Sequence, residues 1–205
     1  MVWRRAHPVG ALAIVRGRPV LRGLATMMFL RHVAHAALPS MFVLYATYRY
    51  GWDAKTVGLA LAGVGVGSLI VQGTRVAPVV RRFDETRALL WGLACGAAGF
   101  ATYGFAPTGR LFCGGIVLLS LWGLSWAASQ GLMTRDVEAT EQGRLQGLDG
   151  SLGGIADLIG PGLFTFAQFI APGHELPGAP FLLAALLQIA AIVLAWRALR
   201  RGRPA

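Results

Sequence analysis

Residues 111–134 of this chain read LFCGGIVLLSLWGLSWAASQGLMT, a run without a single Asp, Glu, Lys or Arg. About 20 helical residues are needed to cross a hydrocarbon core of about 30 Å, so this run is long enough to span a membrane. A transmembrane β-strand has about 10 residues of alternating polarity, whereas this run is apolar on all sides. The stretch therefore predicts a transmembrane α-helix.

Five further stretches have the length of a membrane span. They are residues 23–48, 56–74, 88–109, 145–172 and 176–196. The first and the fourth contain ionisable residues, which are Arg31, His32, His35, Asp149 and Asp157. The chain has 205 residues, of which 55% are apolar and only 14% are charged, whereas soluble domains are roughly 25% charged. We predict an all-α membrane protein with six transmembrane helices.

The basic residues predict the orientation of the bundle, because cytoplasmic loops carry an excess of Lys and Arg. Of the 19 Lys and Arg residues, only Arg49, Lys55 and Arg110 fall in the loops on one side. Both termini are therefore expected in the cytoplasm, with the bundle in the cytoplasmic (inner) membrane. Topology and attraction to anionic lipid account for the net charge of +10, so we expect no nucleic-acid partner.

The chain is predicted to have three parts. Residues 1–19 form a basic cytosolic leader, residues 20–196 the transmembrane bundle and residues 197–205 a basic cytosolic tail. No nucleophile–base pair lies in a soluble loop and no Gly-Lys loop could bind phosphate, so we do not expect an enzyme. His32 and His35 are three residues apart, but no second ligand pair is nearby, so we expect neither a metal site nor a cofactor.

Glycine and proline predict close helix packing and helix distortion. Three pairs of glycines are four residues apart, a spacing that lets helices approach closely in lipid and lets smooth faces slide. They are Gly63 and Gly67, Gly92 and Gly96, and Gly150 and Gly154. Pro39, and Pro161 beside Gly160, each remove a backbone hydrogen bond inside a predicted helix, so both helices are expected to kink or break. Broken helices usually line cavities.

Several motifs together resemble one family. HAALPS at residues 35–40, with the following residues 43–52, resembles the seventh helix and the next loop of tetracycline-resistance-type exporters of the major facilitator superfamily. VQG at 71–73, EQGRLQG at 141–147 and IGPGLFT at 159–165 extend this resemblance over nearly the whole chain.

The resemblance implies a C-terminal six-helix half of a drug:proton antiporter that has twelve helices in two bundles. Residues 1–19 would then come from the central loop, the proton gradient would supply the coupling ion, and the partners would be a small-molecule substrate and the lipid bilayer. A complementary N-terminal half or a second copy would complete the transporter. The alternative is a truncated non-transporting remnant, or a membrane assembly or regulatory subunit.

The cytosolic loop after residue 73 resembles the gating loop of the superfamily. Its candidate residues are Gly73, Arg82, Asp84 and Arg87; Asp84 stands where the family usually has Gly. The same basic residues are also what topology alone would require. Ser68 and Cys95 occupy positions at which some tetracycline exporters carry His and Asp, so tetracycline itself is not the expected substrate.

Ionisable and polar residues inside the spans are candidates for the substrate and proton path, because burying a charge in lipid costs at least about 2.5 kcal/mol. The candidates are Arg31, His35, Ser68, Gln72, Trp126, Gln130, Asp149 and Asp157. Asp149 lies near the cytosolic end of its helix and is expected to reach water. Asp157 lies about 12 Å further along and should face a cavity, carrying protons or binding substrate. Alternatively, it pairs with Arg31 or a hydroxyl group.

An aromatic stripe on the fourth predicted helix is a further candidate. Trp122, Trp126 and Gln130 recur every four residues and therefore share one helix face. That face is either a wall for a flat drug or an ordinary packing surface.

Overall fold

The computed structural model describes residues 15, 18–75, 84–135, 137–170 and 177–201, and this part of the chain contains helices and no strand. The seven α-helices are α1 (Pro19–His35), α2 (Ala37–Tyr50), α3 (Ala54–Ile70), α4 (Glu85–Phe105), α5 (Gly109–Arg135), α6 (Gln142–Ile170) and α7 (Ala179–Arg201). A π-helical turn (Val71–Arg75) extends α3, and a 3-10 turn (Ala139–Glu141) precedes α6. The all-α prediction is confirmed. Most of the predicted leader lies outside the described residues.

The helices α1 and α2 form one span, so the seven helices make a six-helix bundle. Five helical segments are long and apolar enough to cross a membrane: Pro19–Tyr50, Ala54–Gly73, Glu85–Phe105, Gly109–Arg135 and Ala179–Arg201. The sixth member, α6, has 29 residues and carries Asp149 and Asp157, and it is not one of those five.

The first span is interrupted at Ala36, three residues before Pro39. Proline has no N–H to donate and its ring crowds the carbonyl four residues earlier, which here belongs to His35. The Ser40 hydroxyl donates to the Ala36 carbonyl at 2.6 Å and so satisfies an acceptor next to the interruption. In contrast, α6 continues as one α-helix through Gly160 and Pro161, so of the two predicted outcomes, a kink or a break, the break is not found there.

Glycines set the closest helix contacts. A Cβ atom at Gly92 would lie 2.5 Å from the Ser125 backbone nitrogen, and one at Gly96 would lie 2.6 Å from Trp122 Cδ1. The predicted close approach is therefore confirmed for this pair, which packs α4 against α5. The pair in α6 is different, because a Cβ atom at Gly150 or Gly154 would meet nothing within 4 Å.

The core is divided into an aromatic end and an aliphatic end. At the aromatic end, the rings of Tyr103 and Phe112 stack with centroids 4.0 Å apart, and Phe42, Tyr45 and Phe181 pack around them. At the other end the buried residues are mainly Leu, Met and Ala from α1, α4, α5, α6 and α7. Two residues of α3 are buried, Val57 and Ala60. Large apolar side chains are exposed on α3 and α6, for example Leu69 on α3 and Leu158 on α6.

Candidate functional site

A cavity of about 1050 Å³ lies among α1, α2, α3, α5 and α6. Its volume is at the upper end of the range of about 300–1,000 Å³ typical of ligand sites. Seven of the eight residues predicted for the substrate and proton path line it: Arg31, His35, Ser68, Gln72, Trp126, Asp149 and Asp157. The eighth, Gln130, contacts the cavity wall through Asp149. The structure thus brings residues from four separate spans into one space.

Asp149 forms the polar centre of the cavity wall. A hydrogen bond of 2.8 Å joins its Oδ1 to His32 Nε2, and Gln130 Nε2 donates to its Oδ2 at 2.9 Å. Asp149 is only 8% exposed. The expectation that this carboxylate reaches water is therefore wrong, because both of its oxygens are used by side chains from α1 and α5.

His32 is a site residue that the sequence did not indicate as part of the path. The sequence indicates it only as a potential metal ligand, because its partner Asp149 lies 117 residues away and their contact depends on how α1 crosses α6. The one available signal was the presence of a His beside Arg31 inside a span. The described residues contain no group of three or more potential metal ligands.

Arg31 and Asp157 form no ion pair in the described part of the chain, so the predicted pairing of these two residues is not found. Its guanidinium carbon lies 4.1 Å from the centroid of the Trp126 ring, the geometry of a cation–π contact. Arg31 is 4% exposed. Within the described part of the chain, Asp157 forms no ion pair, and it is exposed to the cavity. The register of α1 against α6 places Asp149 beside Arg31 and His32, whereas Asp157 interacts electrostatically with His35, one turn further along α1.

The aromatic stripe of α5 serves two purposes. Trp122 is buried, with its ring centroid 5.6 Å from that of His35 and 5.4 Å from that of Phe100. Trp126, one turn later, is 45% exposed and meets the His32 ring edge-on at 5.4 Å. Both residues line the cavity, Trp122 as a buried packing residue and Trp126 as an exposed one.

The opposite wall is formed by the end of α3 and the π-helical turn. Gln72 lies in that turn and is exposed, while Ser68 is one turn earlier. Single π-helical turns often occur at functional sites, because they present a side chain that a regular helix would turn away. Gln72 also approaches α5, since a Cβ atom at Gly123 would lie 3.8 Å from its Cγ.

Most of the predicted gating loop, including Arg82, lies outside the described residues. Of its other members, Gly73 and Arg87 are exposed, and Asp84 caps α4 by accepting a hydrogen bond from the Glu85 N–H at 2.9 Å. Next to this loop, Arg135 pairs with Glu85 at 3.2 Å and joins the beginning of α4 to the end of α5. The sequence did not indicate this ion pair.

Asp84 has a backbone conformation that favours glycine. Its φ is 66°, and no other non-glycine residue in the described part of the chain has a positive φ. A non-glycine residue held in such a conformation costs of order 1–3 kcal/mol. Gly, the residue that the resemblance described above leads one to expect at this position, would adopt this conformation without strain.

We expect Asp84→Gly to stabilise the bundle by about 1 kcal/mol. The substitution removes the backbone strain and costs only a few tenths of a kcal/mol in capping, whereas Asp84→Ala keeps the strain and loses the cap. Thermal unfolding of the purified chain in detergent measures both effects. An Asp84→Gly variant that melts below the parent would contradict this account.

The sequence pattern of the Major Facilitator Superfamily matches residues 5–205. Among curated proteins, the chain is 28% identical to "Tetracycline resistance protein, class C" of Escherichia coli, over 98% of this chain and 50% of that protein. It is 30% identical to the class G protein of Vibrio anguillarum, over 86% of this chain and 45% of the relative. "Hippocampus abundant transcript-like protein 1" of Homo sapiens is 22% identical over 94% of this chain and 42% of the relative. The chain spans about half the length of these relatives.

Proposed function

This chain belongs to the major facilitator superfamily, and we propose that it forms one six-helix half of a secondary transporter that exports a small drug-like molecule in exchange for protons. The observation that carries this proposal is a single cavity with ionisable residues in its wall, which are Arg31, His32, Asp149 and Asp157. Tetracycline resistance proteins among the relatives support export of a drug-like compound.

The His32–Asp149 pair supplies the chemistry that proton coupling requires. Carboxylates and imidazoles inside membrane spans are the side chains that form proton relays in pumps and transporters, and here the two are joined at 2.8 Å. Gaining one proton changes the charge of the cavity by one unit. A charged substrate would then bind the two protonation states with different affinities, which is the condition for coupling. Asp157 is the second proposed proton or substrate group.

The proposed partner is a complementary N-terminal six-helix half or a second copy of this chain. Alternating access rocks two bundles about a site near the middle of the membrane, so one bundle has nothing to move against. In support, α3 and α6 leave large apolar side chains uncovered, and Gly150 and Gly154 face open space beside the cavity. A second bundle or lipid would cover these faces. We place the transporter in the cytoplasmic membrane, with both termini of this chain in the cytoplasm.

Drug accumulation in pump-deficient cells tests the proposal. The chain is expressed alone and together with the N-terminal half of a related exporter, with and without a protonophore, and uptake of planar fluorescent drugs is followed. We expect lower accumulation only with both halves present, and recovery of accumulation when the protonophore is added.

The paired expression also tests Asp157. We expect Asp157→Asn to remove most of the protonophore-sensitive export, whereas Asp53→Asn, an exposed carboxylate that caps α3, leaves it intact. Unchanged export by Asp157→Asn would exclude a coupling role for that residue. Unchanged accumulation in every case, despite confirmed membrane insertion, would favour a remnant or an assembly subunit.

A further inference from the structure

Arg31 is a buried cation whose hydrogen-bonding capacity is largely unused. Its residue surface is 4% exposed, and its Nε and Nη2 atoms are buried without a hydrogen-bond partner in the described part of the chain. Arginine is almost never fully buried unless it is paired, because removing its charge from water is costly. The contact with Trp126 offsets part of this cost but accepts no N–H. The site therefore lacks an acceptor.

The carboxylates near Arg31 do not supply that acceptor. Asp149 interacts with Arg31 electrostatically, but its two oxygens bind His32 and Gln130. Asp157 makes no ion pair with Arg31 among the described residues. An anion that enters the cavity from outside would thus meet a guanidinium with free N–H groups.

The surroundings of Arg31 suit a flat aromatic group. Trp126 is 45% exposed at the cavity wall, and the Arg31 guanidinium lies over one face of its ring. The cavity is also lined by Gly150 and Gly154, which carry no side chain and leave at least 4 Å of free space at the Cβ positions. An aromatic ring in this cavity would therefore meet the exposed part of the indole and a smooth helix face, with its acidic group near Arg31.

We infer that Arg31 and Trp126 bind the carboxylate group and the adjoining ring of an aromatic carboxylic acid. The planar guanidinium matches the two oxygens of a carboxylate in a way that a point charge does not. This inference rests on the proposed function only in naming that compound a substrate, because binding itself requires no transport.

Equilibrium dialysis with three naphthalene probes tests the inference. The probes are 2-naphthoate, 2-naphthalenemethanol and 2-naphthylmethylammonium, which differ in charge and share one ring system. The purified full chain is placed in lipid nanodiscs, and partition into empty nanodiscs is subtracted. We expect 2-naphthoate to bind at least about tenfold more tightly than the neutral probe, which corresponds to one charge-assisted hydrogen-bonded pair.

Variants on the same helix separate the site from general electrostatics. Arg31→Gln should bring naphthoate down to the affinity of the neutral probe, and Arg31→Lys should give an intermediate value. Arg22→Gln, which removes an exposed arginine of α1, should change nothing. Size-exclusion chromatography and circular dichroism show whether Arg31→Gln remains folded; Trp126→Leu provides a second variant and should weaken all three probes.

The outcomes are decisive in both directions. Naphthoate that binds no better than the neutral probe, or a preference that survives Arg31→Gln or is lost in Arg22→Gln, would overturn the site. An acid from a second bundle would then be the natural partner of Arg31. Anion binding by this chain together with a failure to export in the paired-expression assay would retain the site and reject the transport proposal.

Discussion

Replacing Asp149 with Asn is expected to destabilise the bundle by about 3–5 kcal/mol, the cost of removing one partner of a buried charge pair. The carboxylate is 8% exposed and accepts hydrogen bonds from α1 and α5 while it belongs to α6. An amide presents one acceptor oxygen and one donor group in place of two charged acceptors, so the contacts to His32 and Gln130 become weaker neutral hydrogen bonds and one partner must exchange its donor role for an acceptor role. The substitution also removes the anion nearest to the buried Arg31.

Asp157→Asn is the matched control for this experiment. It makes the same chemical change on the same helix, but Asp157 is exposed to the cavity and has no ion pair in the described part of the chain. We expect its effect on stability to stay within about 0.5 kcal/mol. Thermal unfolding of the parent and both variants in one detergent measures the difference. Equal melting temperatures for the two variants would contradict the assigned role of Asp149.

A double-mutant cycle identifies the interaction responsible. His32→Gln and Asp149→Asn remove the same hydrogen bond from its two ends, so the double variant should be less destabilised than the sum of the single variants. Additive losses would mean that Asp149 acts through another partner, such as Gln130.

The spans could be predicted from the sequence because membrane crossing imposes a length that is visible in one dimension. Each of the six predicted stretches overlaps a described helix over most of its length, including the two that carry charges. Helix ends were less predictable, since they depend on local bonds. For example, α3 begins at Ala54 because the Asp53 side chain accepts a hydrogen bond from the Thr56 N–H at 2.9 Å.

The members of the site could be predicted more completely than their pairing. A polar residue in a span must face protein or water, so listing such residues gave seven that line the cavity. Which acid meets which base depends on how far α6 is shifted along α1. That shift is set by close contacts between the helices, such as Gly160 against Ala36 at the interruption of the first span. These contacts cannot be inferred from the sequence alone.

The second large effect is expected at the contact between α4 and α5. Gly92→Ala should destabilise the bundle by about 1–3 kcal/mol or more, because the added methyl group would lie 2.5 Å from the Ser125 nitrogen and 3.0 Å from its Cα. These are backbone atoms and cannot move aside by rotating a side chain. The two helices must separate, and the packing of Trp122 beneath His35 loosens with them.

Gly154→Ala controls for the change in helix propensity. Alanine is favoured over glycine in a helix interior by about 1 kcal/mol, and a Cβ atom at Gly154 would meet nothing within 4 Å. One and the same substitution should therefore lower the melting temperature at Gly92 and leave it unchanged or raise it at Gly154. Destabilisation of both variants to the same extent would show that Gly154 is also packed, against lipid or a second bundle. In that case the open face of α6 would be an interface already occupied in the purified protein.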